Sequence, residues 1–267
     1  MVQFIGVGTQ KAGTTWLWSM LKQHPQVRFS PLKEVHYFDT LYLGAARGHR
    51  LKLLERGVER QISELEEEGA PPQRIAQLRR LADRSFAFTD TWYGELFPTD
   101  SPYTGDITPN YCALPDQGIQ HVKRLSPGAR LISIIRDPVE RGVSSLRHMV
   151  NEKRSVEDLL GSEEYLSRGD YRTNIPRWER HFPQEQFLYI PFGDIKKDPA
   201  GVLRRVEQHI GLEPHDAYNR LDVPRASTTD RGVVLPEGVE QRIARVFEGQ
   251  EAFLRQRFGD DFVARIA

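Results

Sequence analysis

The chain has 267 residues, with 37 Lys and Arg balancing 37 Asp and Glu, and a single cysteine, Cys112. The length is ample for a sizeable core, the balanced charge gives no basic excess to recruit nucleic acid or an anionic membrane, and one cysteine excludes an intrachain disulfide or a cysteine-based zinc cluster, leaving Cys112 as a small buried hydrophobe. No apolar run approaches a membrane span, and the early strand at Phe4 leaves no room for a cleavable leader, so a soluble, cytoplasmic protein is expected.

Phe4, Ile5, Gly6 and Val7 predict a buried strand, Gly8 to Gly13 a small-residue turn carrying Lys11, and Thr14 onward a helix with Leu17, Met20 and Leu21 on one face. A strand that feeds a glycine-rich turn into a helix N-terminus makes an anion site, because unpaired backbone N–H groups and the positive end of the helix dipole converge there. The loop departs from the P-loop of nucleoside triphosphate enzymes. Thr14 follows Gly13 and the lysine stands two residues before that glycine, so the magnesium-binding hydroxyl register is lost. A phosphate or sulfate handled without a metal is expected, against the plain alternative of a tight turn with a solvated lysine.

His24-Pro25 stops the helix, and Val27, Arg28 and Phe29 predict a short second strand. The run Lys33-Glu34-Val35-His36-Tyr37-Phe38-Asp39 then gathers a lysine, a carboxylate, an imidazole and two aromatics. Read as an extended segment, it puts Glu34, His36 and Phe38 on one face and Lys33, Val35 and Tyr37 on the other, so that Glu34 and His36 either point together into a cleft or sit on an exposed strand edge. Residues 44–90 change character. Leu51, Leu54, Val58, Ile62 and Leu65 mark an amphipathic helix over 49–68, Gly69-Ala70-Pro71-Pro72 breaks it, and Ile75, Leu78 and Leu81 line a second helix over 73–82. Such a helical hairpin inserted between strands either serves packing or covers an active site. Phe86, Phe88, Trp92, Tyr93 and Phe97 suit a core wall better than an acceptor pocket.

Leu131-Ile132-Ser133-Ile134-Ile135 is the clearest strand, introduced by Pro127-Gly128. Arg136 ends it, Asp137 caps the next helix and Pro138 opens it; Val139, Val143, Leu146 and Val150 form the buried stripe, with Arg136, Arg141 and Ser144 on other faces. An arginine at the carboxyl end of a parallel strand lies where open α/β sheets bind ligands. Its fork suits a phosphate, to which Ser144 can add a hydroxyl, unless Arg136 merely pairs with Asp137 or Glu140. Phe187 to Ile190 predict another core strand, Val202, Val206 and Ile210 a helix ended by Gly211, and Val239, Ile243, Val246 and Phe247 the start of a packing helix. The remaining histidines show no metal-ligand spacing.

Taken together, the two strand-turn-helix units resemble the sulfotransferases that use 3'-phosphoadenosine 5'-phosphosulfate (PAPS). Gln10-Lys11-Ala12-Gly13-Thr14-Thr15-Trp16-Leu17 resembles that family's 5'-phosphosulfate loop, and Ile135-Arg136-Asp137-Pro138-Val139-Glu140-Arg141-Gly142-Val143-Ser144 its 3'-phosphate segment. The run from Lys33 to Asp39 is similar to the Lys-Glu-x-His-Phe-Phe stretch of the heparan sulfate branch, whose Glu serves as base. The order of motifs continues through Tyr171, Trp178, Phe182-Pro183 and Asp198-Pro199 to Gly211-Leu212, leaving 44–90 as the least comparable part.

The resemblance implies an α/β fold with a central parallel sheet flanked by helices, P-loop-like and three-layered, as one domain over 1–267 with 44–90 as the insertion, in a soluble, bacterial-type relative of that branch. It implies PAPS as donor, 3',5'-adenosine bisphosphate as product, no metal, and a small-molecule, lipid or carbohydrate hydroxyl as acceptor. Glu34 is the implied base with His36 as rival or partner; Lys11, Ala12, Gly13, Thr14, Thr15, Trp16, Arg136 and Ser144 are the implied donor-binding residues. Gly105-Asp106-Ile107-Thr108-Pro109 resembles the branch's Glu-Lys-Ser/Thr-Pro segment, with Ile107 in place of its active-site lysine. Ser227-Thr228-Thr229-Asp230-Arg231-Gly232 weakly resembles the loop that closes over the donor, adding Arg231 and Gly232. A P-loop kinase or NTPase and a non-catalytic nucleotide-binding module are the alternatives; the first predicts an acidic residue at the strand end where this chain has Arg136, and the second does not need Glu34.

Overall fold

The computed structural model describes residues 2–44, 47–97, 101, 103–150, 154–218 and 233–267. Five strands, β1 (Phe4–Gly8), β2 (Val27–Phe29), β3 (Tyr103–Ile107), β4 (Arg130–Ile135) and β5 (Phe187–Pro191), form a parallel sheet in the order β2-β3-β1-β4-β5. Parallel strands need crossovers, and helices supply them: α1 (Thr14–Leu21), α2 (Tyr37–Tyr42), α3 (Arg47–Glu67), α4 (Pro72–Leu81), α5 (Asp90–Glu95), α6 (Asp116–Leu125) and α7 (Pro138–Met149) in the first half. In the second half, α8 (Val156–Leu160), α9 (Glu163–Ser167), α10 (Tyr171–Glu179), α11 (Phe192–Lys197), α12 (Pro199–Ile210), α13 (Val239–Val246), α14 (Gln250–Phe258) and α15 (Asp260–Val263) follow. This is the α/β three-layer architecture expected.

Alternation along the strands builds the two faces. Ile5, Val7 and Leu131 join a core with α2, α3, α5 and α6, whereas Phe4, Ile107, Ile132 and Ile134 join one with α1 and α12. β1 is buried along its whole length, as a central strand covered on both faces must be. The Phe4 ring lies against its neighbour in β3, Gly105, where any Cβ would overlap it. The hairpin of α3 and α4 is present, and Leu51, Leu54, Val58, Ile62 and Leu65 are buried as their spacing required. Its position against the segment after β2 is fixed at Gly57, where a Cβ would come within 3.3 Å of the Pro31 carbonyl oxygen.

Two expectations change. Residues 33–39 are not an extended segment: His36 adopts a left-handed conformation (φ 54°) and caps α2, which begins at Tyr37. Phe38 therefore shares no face with Glu34, and Val35, Tyr37 and Phe38 are all buried in the core. Arg141 is not on an outer face of α7 but fully buried, its guanidinium 4.9 Å from the Phe247 ring centre. Phe88, Trp92, Tyr93 and Phe97 are core residues, with Phe86 packed against them, as expected.

Candidate active site

The loop after β1 folds over the carboxyl end of the sheet. Its start is tied to the neighbouring strand by Thr9 N–H donating to the Ile134 carbonyl (3.1 Å), and Ala12 N–H donates back to Thr9 O (3.2 Å). Lys11 (φ 68°) and Gly13 (φ 91°) take left-handed conformations; the second must be glycine in addition because a Cβ there would meet Phe192 and Ile195 at 3.3 and 3.2 Å. α1 then opens with no side-chain cap and no acidic residue in its first turn, which leaves its positive end uncompensated. Lys11 and Gly13 are half-buried, Ala12 and Thr14 buried and Thr15 exposed. The Trp16 ring is packed in the core, so only its backbone is available to a ligand.

Arg136 emerges from β4 beside this loop. Its Nη1 donates to the Lys11 carbonyl (3.1 Å), its guanidinium lies 4.6 Å from the Phe192 ring centre, and Nη2 pairs with Glu140 at 2.9 Å. Pairing with Glu140 thus coexists with a contact to the loop after β1. Asp137 caps α7 by accepting from Val139 and Glu140 N–H, as its sequence position predicted. Ser144 is half-buried on the same helix.

A second cluster lies in the segment between β2 and α2. His36 Nε2 is 3.1 Å from Glu34 Oε2, and Nδ1 is 2.7 Å from Asp39 Oδ2, which also accepts from Asn110 Nδ2 at 3.1 Å. Glu34 remains about a third open to solvent while His36 and Asp39 are buried. The result is a chain in which the outermost carboxylate can exchange a proton with a ligand and the innermost fixes the imidazole. Burial alone would raise the Glu34 pKa, but its hydrogen bond to His36 and the charges of His36, Lys33 and Arg50 leave it below the ordinary carboxylate value. Burial likewise opposes the imidazolium, yet the bonds to Asp39 and Glu34 raise the His36 pKa. Asp39 is lowered, its burial outweighed by the bond and charge of His36.

Lys33 joins the two halves. Its Nζ donates to Thr15 Oγ1 (2.7 Å) in the first turn of α1 and stands 3.6 Å from Glu34 Oε1. The structure thus brings Glu34 and His36 into direct contact and connects them, through Lys33, to the loop that carries Lys11. Sequence reasoning missed Asp39, Asn110 and Arg50. Asp39 stood in the same short run and is one helical turn from His36; Arg50 belongs to the inserted hairpin and is within electrostatic reach of Glu34, Asp39 and Arg168. Ile107 points into the core over Gly6 and brings no charge to the site. Arg231 and Gly232, with the rest of the 227–232 segment, lie outside the described residues. Among the described residues no group of three or more His, Cys, Asp or Glu is arranged to hold a metal, and no helix is long and apolar enough to cross a membrane.

Comparison with known proteins bears on the family and the fold. The profile of the sulfotransferase family matches residues 3–216. The chain is 25% identical over 226 residues to the human heparan sulfate glucosamine 3-O-sulfotransferase 3B1, covering 79% of this chain and 46% of that one. It is 23% identical over 239 residues to the mouse bifunctional heparan sulfate N-deacetylase/N-sulfotransferase 4, covering 81% of this chain and 23% of the other. The match therefore spans less than half the length of these relatives. Among solved structures, a sulfotransferase from Alicyclobacillus acidocaldarius superposes with a TM-score of 0.67 at 20% identity, covering 96% and 95% of the two chains.

Proposed function

Because the chain belongs to the sulfotransferase family, we propose that it moves a sulfuryl group from PAPS to the hydroxyl of a small-molecule, lipid or carbohydrate acceptor, with Glu34 as general base. The observation that carries this reading is the Thr15–Lys33–Glu34 contact, which connects the first turn of α1 to a carboxylate partly open to solvent. In the proposed reaction the acceptor oxygen attacks sulfur in line with the bond to the 5'-phosphate. The S–O bond forms as the S–O bond to the leaving group breaks, the electron pair departs with the bisphosphate, and the acceptor proton passes to Glu34.

Lys11, Lys33 and the N–H groups around residues 13–15 would neutralise charge on the leaving phosphate, as preorganised donors do in phosphoryl transfer. Trp16 would contribute its backbone. Arg136 and Ser144 would hold the 3'-phosphate; the fork of Arg136, already aimed at the loop, supports this assignment. His36, fixed by Asp39, would set the direction and charge of Glu34. The hairpin, which carries Arg50 toward Glu34, would cover the acceptor side, and the names of the curated relatives make a carbohydrate hydroxyl a natural first acceptor to try.

Calorimetric titration with 3',5'-adenosine bisphosphate in chelator-treated, magnesium-free buffer, beside ATP with magnesium, tests the donor. Tight bisphosphate binding that Arg136→Ala weakens, with little response to ATP, is the expected result. A preference for ATP with magnesium would favour phosphoryl over sulfuryl transfer at this site, and no binding of either would end the reading.

A further inference from the structure

Beneath the base cluster, on β3, lies a carboxylate that the proposed reaction does not use. Asp106 is 1% exposed and accepts three hydroxyl protons: from Thr108 Oγ1 at 2.7 Å on Oδ1, and from Tyr111 and Tyr93 Oη at 2.8 and 3.2 Å on Oδ2. Two of these hydroxyls continue outward. Thr108 Oγ1 accepts from the backbone N–H of Val35 (3.0 Å) and, more loosely, His36 (3.5 Å), and Tyr111 Oη accepts from the N–H of Tyr37 (3.1 Å). A backbone N–H can only donate, so these hydroxyls must accept on that side and turn their own protons inward. Both protons end on Asp106. The consecutive N–H groups on either side of the left-handed His36 are thereby held through two hydroxyl bridges by one buried carboxylate.

We infer that Asp106 is a positioning residue for the proposed sulfuryl transfer, holding the turn at His36 through Thr108 and Tyr111 so that the imidazole meets Glu34 and Asp39 together. The inference rests on the assignment of Glu34 as base for its meaning, but its geometry stands apart from the donor site. A left-handed non-glycine residue is strained and persists only where its surroundings over-determine it. Here the surroundings are specific: three hydrogen bonds converge on residues 35–37 from an element some seventy residues away in sequence. Burial raises the Asp106 pKa to about 6 against the pull of the three hydroxyls and the nearby charge of His36. Such a buried charge is costly, and a packing role alone would be met more cheaply by an apolar residue.

The test reads the His36 ring directly. Its pKa is followed by NMR pH titration in the wild type, Asp106→Asn, Thr108→Val and Thr108→Ser, with His36→Gln to assign the resonance, and bisphosphate binding is measured in parallel. In the wild type the midpoint should lie above the ordinary histidine value of ~6.5, reflecting the joint grip of Glu34 and Asp39 in the presence of the opposing charge of Arg50. Asp106→Asn, which cannot accept from both tyrosines and the threonine, and Thr108→Val, which removes the bridge, should lose that elevation. Thr108→Ser should keep it, and bisphosphate affinity should be the same in all. If Asp106→Asn and Thr108→Val fold, bind bisphosphate and titrate at His36 as the wild type does, Asp106 does not position the base and the inference fails. Should Asp106→Asn not fold, Thr108→Val and Tyr111→Phe, each removing one hydroxyl from the same hub, decide by the same criterion. Absence of bisphosphate binding in the wild type would instead sink the functional reading while leaving the titration result intact.

Discussion

The two halves of the site are made in opposite ways. The loop of residues 8–14 takes its shape from main chain, through two left-handed residues and a helix start with no side-chain cap, and the strand-end Arg136 donates to its backbone. The half around Glu34, His36 and Asp39 is made from side chains, and its shape is imposed from below by Thr108 and Tyr111. A cradle of backbone dipoles tolerates changes in side chain, whereas a relay of ionisable groups depends on each member. The lesson is that binding and chemistry should be separable by mutation here.

The largest separation is expected at Glu34. Glu34→Gln should lower turnover by ~100 to 10,000-fold, the usual weight of a general base, while bisphosphate affinity measured by calorimetry stays unchanged. Loss of both together would mean that the two halves are one. Arg136→Ala should do the reverse and weaken bisphosphate by ~10 to 100-fold, in line with about 1.5–3 kcal/mol for hydrogen bonds to a charged group. The His36 titration should not respond to it. A smaller effect is expected at Asp137: alanine removes the cap of α7 and should cost ~1 kcal/mol in denaturant unfolding, since two N–H groups lose their acceptor.

The finest distinction lies in pH. Glu34 and Asp39 are held below their reference values of 4.5 and 3.8, so their contribution to stability is present above those values and fades as pH falls through the lowered ones. His36 is raised above 6.5, so its contribution is complete below that value and fades as pH rises through the raised one. The difference in melting temperature between wild type and His36→Gln should therefore be greatest between pH 4.5 and 6.5 and shrink on either side. A gap that is constant from acid to alkaline pH would show that the relay is not an ionised network.

The same contrast explains what could be read in advance. β1, β4, the Asp137-Pro138 start of α7 and the Gly211 end of α12 are specified by adjacent residues, and all appear where the pattern put them. The hairpin was equally legible from its apolar spacing. The turn at His36 was not, because nothing in Lys33 to Asp39 forbids an extended chain; the hydroxyls that bend it come from residues 108 and 111. Arg141 was misread for a related reason. Its place among Val139, Val143 and Leu146 gave no hint that α13 and the following Phe247 would cover the far side of α7. Glu34 and His36 were correctly paired, though by way of a turn and not by strand alternation. The Trp16 ring was drawn to the core because the helix face that carries Leu17 and Met20 extends to include it.

The central place of β1 also bears on how the protein is made. Phe4 is among the earliest residues of this sequence to be synthesised, yet its sheet partners are Gly105 on one side and Arg130 on the other. Until both have been added the strand has no permanent neighbours, and its apolar residues must wait exposed or be sheltered. Contacts this distant in sequence slow folding, because the chain between them loses its freedom before the pairing is rewarded. The loop at the end of β1 can therefore acquire its shape only after β4 has arrived, since Thr9 is tied to Ile134. The most local motif in the sequence becomes one of the later parts of the molecule to be completed.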